Sequence, residues 1–310
     1  MSRLFIAGVC AIVAAATELS QAQRATLPPS SVTKVVMLGT GNPSDNPNKM
    51  GASVGIIVNG TPYLIDAGVG LVRRAAQART AGVKGLEPPK LQRVFLTHLH
   101  TDHTLGLPDL VFTPWVMGRT APLEVYGPPG TTAMTDHLAA AWHEDNDIRI
   151  NGLEHANATG NEIVARDVQP GVVYQDSSVK VAAFLVNHGS WKQAFGYRID
   201  TPDRRIVLSG DAAPSESVVD ACNGCDLLLH EVYSEIGYNA SDEAWRAYLR
   251  GFHTSTTELA ALAARARPKT LILYHQMYFG GPRDTDARFI REIAARWNGR
   301  VVASRDLDVY

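Results

Sequence analysis

The run Thr97-His98-Leu99-His100-Thr101-Asp102-His103 directly follows the apolar residues Val94-Phe95-Leu96, so four metal-ligand side chains fall within six positions at the end of a strand-like segment. Side chains alternate along an extended strand, which sends His98 and His100 to the same side. If the chain then turns into a helix, Asp102 and His103 come round on the next turn toward the same point. Two imidazoles from the strand end and a carboxylate with an imidazole from the helix start can hold two cations close together. That arrangement clamps both the attacking and the leaving oxygen of a displacement. Ordinary polar residues at a strand end do not account for three histidines and an aspartate at this density. The segment points to a metal-dependent hydrolase and demands a fold in which strand ends converge on one cleft.

A chain of 310 residues is long enough to bury a large core. Its 29 basic and 31 acidic residues leave a net charge of −2, which gives no global attraction for a polyanion such as tRNA or DNA. The first residues read Met1-Ser2-Arg3, then an apolar stretch over 4–16, then Ser20-Gln21-Ala22 before Gln23. A basic start, a short apolar core and a small-x-Ala site make residues 1–22 a secretory signal peptide, leaving 23–310 as one hydrolase domain in the periplasm or outside the cell. The apolar stretch is too short to span a bilayer comfortably, so no stable membrane anchor is expected. Export would leave Cys222 and Cys225, which could close a small disulfide or act as a redox pair. Their position between elements, without a thioredoxin-like context, favours two small buried residues instead.

Strand patterns recur over 32–38, 54–58, 63–66, 123–126, 172–175, 179–187, 195–199, 205–209, 227–232, 271–274 and 301–303. Helical periodicity fits a segment ending at 79 and the segments 131–143, 215–221, 242–249, 256–265 and 284–297. The stretch 146–165 is polar and strand-poor, as a lid or insertion would be. Hairpins first and β-α units later, twice over, predict an α/β fold of two sheets face to face with helices outside, a four-layer αββα sandwich.

A dinuclear site needs further ligands, and three more apolar runs end in them: His188 after Val181-Ala182-Ala183-Phe184-Leu185-Val186-Asn187, Asp211 after Ile206-Val207-Leu208-Ser209-Gly210, and His275 after Leu271-Ile272-Leu273-Tyr274. A lone strand-end histidine is weak evidence. In the order His-x-His-x-Asp-His, His, Asp, His, however, the set resembles that of the metallo-β-lactamase superfamily. The resemblance implies two Zn2+ per chain, one on His98, His100 and His188, the other on Asp102, His103 and His275, with Asp211 bridging. Further matching motifs are Leu38-Gly39-Thr40-Gly41, Leu64-Ile65-Asp66-Ala67-Gly68, Gly196-Tyr197-Arg198, His230-Glu231 and His253-Thr254-Ser255. With them the chain is similar to the ribonuclease Z and zinc arylsulfatase branch. In that branch a Glu and a His form a dyad beside the metals, which implies Glu231 and His253 here as catalytic residues together with Asp102. By residue pattern alone Glu231 can equally be a salt-bridge partner at the core edge, and His253 a neighbour of a helix N-cap.

Two departures from the branch bear on substrate. Only a short hairpin around Thr201-Pro202-Asp203-Arg204 separates Tyr197 from Asp211, where ribonuclease Z enzymes carry a basic tRNA-contacting loop, and the stretch His143-Glu144-Asp145-Asn146-Asp147 is acidic where they carry a basic arm. The expectation is therefore an exported dinuclear zinc hydrolase of small phosphodiester or aryl sulfate esters. A metal-bound hydroxide would attack and His253 would protonate the leaving group. The partner is then a small-molecule ester with no nucleic acid, and a homodimer is not excluded. The second reading is a β-lactamase or lactonase-type acyl hydrolase. Trp115, Trp191, Tyr274, Met277, Tyr278 and Phe279 are candidates for the pocket wall, with one or two of them touching substrate.

Overall fold

In the computed structural model, which describes residues 32–310, the first half of the chain forms a six-stranded sheet in sequence order. Its strands are β1 (Thr33–Gly39), β2 (Ser53–Val58), β3 (Thr61–Ile65), β4 (Arg93–Phe95), β5 (Leu123–Gly127) and β6 (Ile163–Asp167). β1, β2 and β3 are antiparallel. The turn between β2 and β3 is Asn59-Gly60, with φ of 49° and 80°, the left-handed pair that a two-residue hairpin with right-handed strand twist requires. From β3 to β6 pairing is parallel, and the crossovers carry α1 (Leu71–Thr80), α2 (Thr101–Thr104), α3 (Leu107–Val116), α4 (Thr131–Ala141) and α5 (His143–Asn151).

The second half repeats the plan as a seven-stranded sheet: β7 (Gly171–Gln175), β8 (Lys180–Val186), β9 (Ala194–Asp200) and β10 (Arg205–Leu208) as an antiparallel meander, then β11 (Leu227–Tyr233), β12 (Thr270–Met277) and β13 (Val301–Ala303) in parallel. Its helices are α6 (Glu216–Cys222), α7 (Glu235–Ala240), α8 (Glu243–Phe252), α9 (Thr256–Ala266) and α10 (Asp286–Ala294). One apolar core, including Val35, Ile56, Phe95, Tyr197, Leu229 and Tyr274, lies between the sheets. Two further cores lie between each sheet and its helices. Both faces of the central strands are therefore covered, which is why Leu227–Tyr233 is buried at every position, His230 and Glu231 included. The expected four-layer αββα sandwich is what the chain forms.

Several local expectations need correction. The stretch 146–165 is not a lid: α5 occupies its start, and β6 forms the sheet edge, partly exposed and for that reason polar. α3 is absent from the helical segments read in the sequence, and it contains two prolines, Pro108 and Pro114. Pro108 sits in the first turn, where no N–H is needed, and Pro114 leaves the carbonyl of Leu110 without its helical donor. The wholly buried guanidinium of Arg119 supplies that donor, Nη1 to Leu110 O at 2.9 Å, and also reaches the carbonyls of Leu91, Val111 and Gly160. Cys222 and Cys225 are buried, as expected, but are joined as a disulfide. Asn223 and Gly224 between them, both left-handed with φ of 35° and 83°, turn the chain tightly enough to bring the two Cα atoms to 4.7 Å. The segment 1–22 read as an export signal lies outside the described residues. Among the described residues no helix is long and apolar enough to cross a membrane.

Candidate metal centre

The seven candidate ligands come from strand ends and one bulge at the same edge of the sandwich. β4 runs out at Phe95, His98 follows, His100 is the N-cap of the short α2, and Asp102 and His103 stand in its first turn, as the spacing predicts. His188 follows β8 just beyond the bridge between Asn187 and Ala213. Asp211 follows β10 through Gly210, whose φ of +63° and close approach to Phe195 O (a Cβ would lie 2.8 Å away) admit no side chain. His275 departs from expectation, because β12 continues past it to Met277. The register there slips: His230 pairs with Leu273 but Val232 pairs with Gln276, so Tyr274 and His275 together face Glu231. His275 takes φ +50° in this bulge, and its N–H leaves the ladder for the carbonyl of Thr40 at 3.0 Å. A left-handed non-glycine residue costs about 1–3 kcal/mol and recurs at functional sites.

The ligand atoms form two groups that share Asp211: His98, His100, His188 and Asp211, and Asp102, His103, Asp211 and His275. Within each, the atoms lie within 4.8 Å of one another. His98 Nε2 and His188 Nε2 stand 3.0 and 3.2 Å from His100 Nδ1. In the second group Asp102 Oδ2 is 3.0 Å from His275 Nε2 and 3.4 Å from His103 Nε2. Asp211 reaches His103 with Oδ1 at 3.3 Å and, with Oδ2, His275 at 3.5 Å and His98 at 3.9 Å.

The outer nitrogens show what these inward atoms are for. His188 Nδ1 donates to Phe252 O at 2.8 Å, and His103 Nδ1 donates to Asp66 Oδ2 at 2.9 Å, so each ring turns its Nε2 inward, as the lone pair that ligates once that nitrogen carries no proton. His103 Nε2 and Asp211 Oδ1 are buried without a hydrogen-bond partner. Lone pairs facing lone pairs and carboxylates in a buried space are satisfied by a cation, and a set of imidazole and carboxylate donors suits a divalent transition ion. The two groups thus fit metal ions. Asp66 was not recognised as part of the site from the sequence. Its carboxylate also accepts from Thr97 N at 2.7 Å, and its φ of +60° was the kind of feature a sequence does not display.

The electrostatics divide the two groups. Burial pushes His98 well below the ordinary histidine range and His188 down to about 4, so the three-histidine group stays neutral and ready to ligate. Burial also opposes charge on His103 and His275, but Asp211 and Asp102 outweigh it and raise both, with Asp66 adding to the effect on His103. Burial alone would raise Asp211, but His275 and His103 hold it well below the usual carboxylate range. Metal entering the second group therefore displaces protons.

Glu231 and His253 meet beside these groups. Glu231 is wholly buried on β11, so it is no salt-bridge partner at the core edge. Its Oε1 accepts from Thr254 N at 2.9 Å and Ala212 N at 3.3 Å, and its Oε2 lies 3.4 Å from His253 Nδ1. The N-cap of α9 is Ser255, held in a capping box with Glu258, so His253 does stand two positions before a helix N-cap, while its ring turns to Glu231. Its Nε2 lies 3.1 Å from the Tyr248 hydroxyl. A cationic histidine beside a carboxylate was expected. Burial, then Asp211, instead pushes Glu231 well up, and burial lowers His253 to about 4. Burial therefore acts against charge on both partners, which stand 3.4 Å apart and can share a proton between Glu231 Oε2 and His253 Nδ1.

A cavity of about 480 Å3 opens onto His100, Asp102, Asp211, His253 and His275. Of the six expected wall residues, Met277, Tyr278 and Phe279 line it. Trp115 is core, its Nε1 donating to Asn157 O, Tyr274 is buried between the sheets, and Trp191 donates from Nε1 to His100 Nε2 at 3.0 Å. Trp245 and Tyr248 line the cavity unexpectedly. Their spacing on α8 resembles an ordinary core stripe.

Comparison with known proteins agrees with the architecture and corrects the substrate. The family described as a beta-lactamase superfamily domain matches residues 61–276. Ribonuclease Z of Mycobacterium bovis is 29% identical over 278 residues, covering 88% of this chain and 96% of its own. Ribonuclease Z of Mycobacterium marinum is 30% identical with the same coverage. Among solved structures, YhfI of Bacillus subtilis, a metallo-beta-lactamase fold protein, superposes with a TM-score of 0.65 at 17% identity, covering 90% of this chain and 98% of its own. The short form of human tRNase Z gives 0.62 at 23% identity, with 89% and 98% covered. These relatives overturn the expected hydrolysis of small phosphodiester, aryl sulfate or acyl substrates, and with it the small-molecule partner and the exclusion of nucleic acid. The exclusion rested on the export signal, net charge, a short hairpin and an acidic stretch. The last three features govern how strongly a polyanion is attracted from a distance and say nothing about which bond the site can break. With its fold, its ligand order and its sequence in agreement, the chain belongs to the metallo-β-lactamase superfamily.

Proposed function

We propose that this chain is a metal-dependent phosphodiesterase that cleaves RNA, holding two Zn2+ on the two groups that share Asp211. The observation that carries the reading is the Glu231–His253 pair, 3.4 Å apart, with His253 on the same cavity as residues of both ligand groups. A ribose oxygen is a poor leaving group and must be protonated as the P–O bond breaks, whereas an acidified leaving group needs no such help. The similarity to ribonuclease Z proteins over nearly their whole length supports the same assignment. When bound, the metals supply positive charge to the phosphate oxygens and lower the pKa of water. The chain's own residues do the rest. Asp211 reaches ligands of both groups and fixes their separation. His253 Nε2 faces the cavity and gives its proton to the departing oxygen, and Glu231 returns one through Nδ1. Thr254 N and Ala212 N hold the Glu231 carboxyl in place for that exchange.

The test compares leaving groups. His253→Ala and Glu231→Gln should lower the cleavage rate of a 3′-extended RNA hairpin by about 10²- to 10⁴-fold, while hydrolysis of a nitrophenyl phosphodiester used as a probe falls far less. Equal losses on both substrates, or an undiminished rate on RNA, would remove the acid from the mechanism and the reading with it.

A further inference from the structure

The cavity wall away from the ligands is aromatic and partly open to solvent. Trp245 on α8 is 51% exposed and Phe279 is 37% exposed, with ring centroids 5.7 Å apart, and Tyr248 closes the corner edge-on to Trp245 at 5.4 Å. Large aromatic rings left half in water beside a catalytic cluster are poised to gain from a flat partner. The shelf is also held in place. Asp242 caps α8 by accepting from Trp245 N at 2.9 Å, and Tyr248 stacks on Phe252 at 4.6 Å, whose carbonyl holds His188. The same helix therefore fixes the shelf and orients a ligand.

The opposite wall is a polar loop. Asn42 is pinned by Nδ2 to Gln276 O at 2.9 Å and accepts from Ser44 N at 3.1 Å, which presents Ser44 and Asp45 to the cavity. Among the described residues no lysine or arginine lines the space, and Asp45 adds a negative charge, so this end does not suit a phosphate. A planar, uncharged ring with hydrogen-bonding edges suits both walls at once, and a volume of about 480 Å3 is of ligand-pocket size.

We infer that this shelf is a nucleobase subsite: one base adjoining the scissile phosphate stacks on Trp245 and Phe279 while its edge meets the 42–46 loop. The inference rests on the RNA reading for the placement of the phosphate. Recognition is by stacking, so it prefers purines without reading a sequence, and it selects nucleotides over base-free phosphodiesters.

Isothermal titration of zinc-loaded protein with adenosine 5′- and 3′-monophosphate, against ribose 5-phosphate, tests it without turnover. At least one nucleotide isomer should bind about 10-fold or more tighter than ribose 5-phosphate, as expected for one stacked base. Trp245→Ala should close that gap, and Trp245→Phe should keep most of it. Equal binding of nucleotides and ribose 5-phosphate by the wild type, or a gap that survives Trp245→Ala, overturns the subsite. A gap that behaves as expected in a protein that cuts no RNA supports the subsite and sinks the RNA-cleaving reading instead.

Discussion

Asp66→Asn isolates the role of a carboxylate that touches no metal-ligand atom directed at the cavity yet decides what one of them can do. In the wild type its two oxygens take Thr97 N at 2.7 Å, Thr97 Oγ1 at 2.9 and 3.0 Å, and His103 Nδ1 at 2.9 Å. An asparagine keeps the shape but replaces one acceptor with a donor. If its oxygen stays on Thr97 N, its amide faces His103 Nδ1–H, donor against donor. His103 escapes by moving its proton to Nε2, where Asp211 Oδ1 at 3.3 Å and Asp102 Oδ2 at 3.4 Å accept it. The fold survives this change, but the lone pair that would bind metal is gone. Loss of an outer partner of this kind costs about 10- to 100-fold in metal affinity, or ~1.4–2.7 kcal/mol. The assay is competition for zinc with a chromogenic chelator, resolved into two binding steps. The steep loss belongs to the group of Asp102, His103 and His275, with a smaller effect on His98, which Thr97 Oγ1 contacts at 3.0 Å. Wild-type affinity at both steps, or equal losses at both, refutes the tautomer argument.

Three further substitutions test the scaffold. Arg119→Met strands the carbonyls of Leu91, Leu110, Val111 and Gly160 in the interior, and denaturant unfolding should show a loss of about 3 kcal/mol or more; under 1 kcal/mol contradicts the role given to Arg119. Gly210→Ala forces a Cβ onto Phe195 O at φ +63° and should lower the melting temperature and weaken zinc binding through Asp211; an unchanged melting temperature counts against it. His230 is wholly buried, and burial lowers it to about 4 from an ordinary 6.5. As pH falls, the unfolded chain takes up that proton first, so stability is lost between pH 6.5 and about 4, by at most about 3 kcal/mol. Metal-free His230→Gln should lose less than metal-free wild type over that window, and parallel acid limbs would contradict the assignment.

The layers and the first four candidate ligands were legible in the sequence because the physics that places them is local, whereas His188, Asp211 and His275 stood out only through the family resemblance; all seven side chains converge in the structure. What was not legible depends on three-dimensional context. Nothing in Leu273-Tyr274-His275 announces a bulge, since a single left-handed residue leaves the hydrophobic pattern unchanged. Asp66 acts through Thr97 and His103, more than thirty positions away. α3 hid behind two prolines whose cost Arg119 offsets, and β6 hid because an edge strand does not alternate cleanly. Burial, invisible in His253-Thr254-Ser255, pushes the Glu231 carboxyl up and the His253 imidazole down, against the charged pair that the residue types suggest. The substrate was misjudged because a whole-chain charge of −2 averages over the surface and is silent about the few residues that meet the scissile bond.

The most direct measurement is to load the chain with zinc, count the metal by mass spectrometry of the native protein, and incubate it with a 3′-extended tRNA precursor. Two zinc ions per chain and a single internal cut, abolished by a chelator and restored by zinc, are the predicted results. Two zinc ions bound with the precursor left intact would contradict the assignment of this site to RNA phosphodiester cleavage.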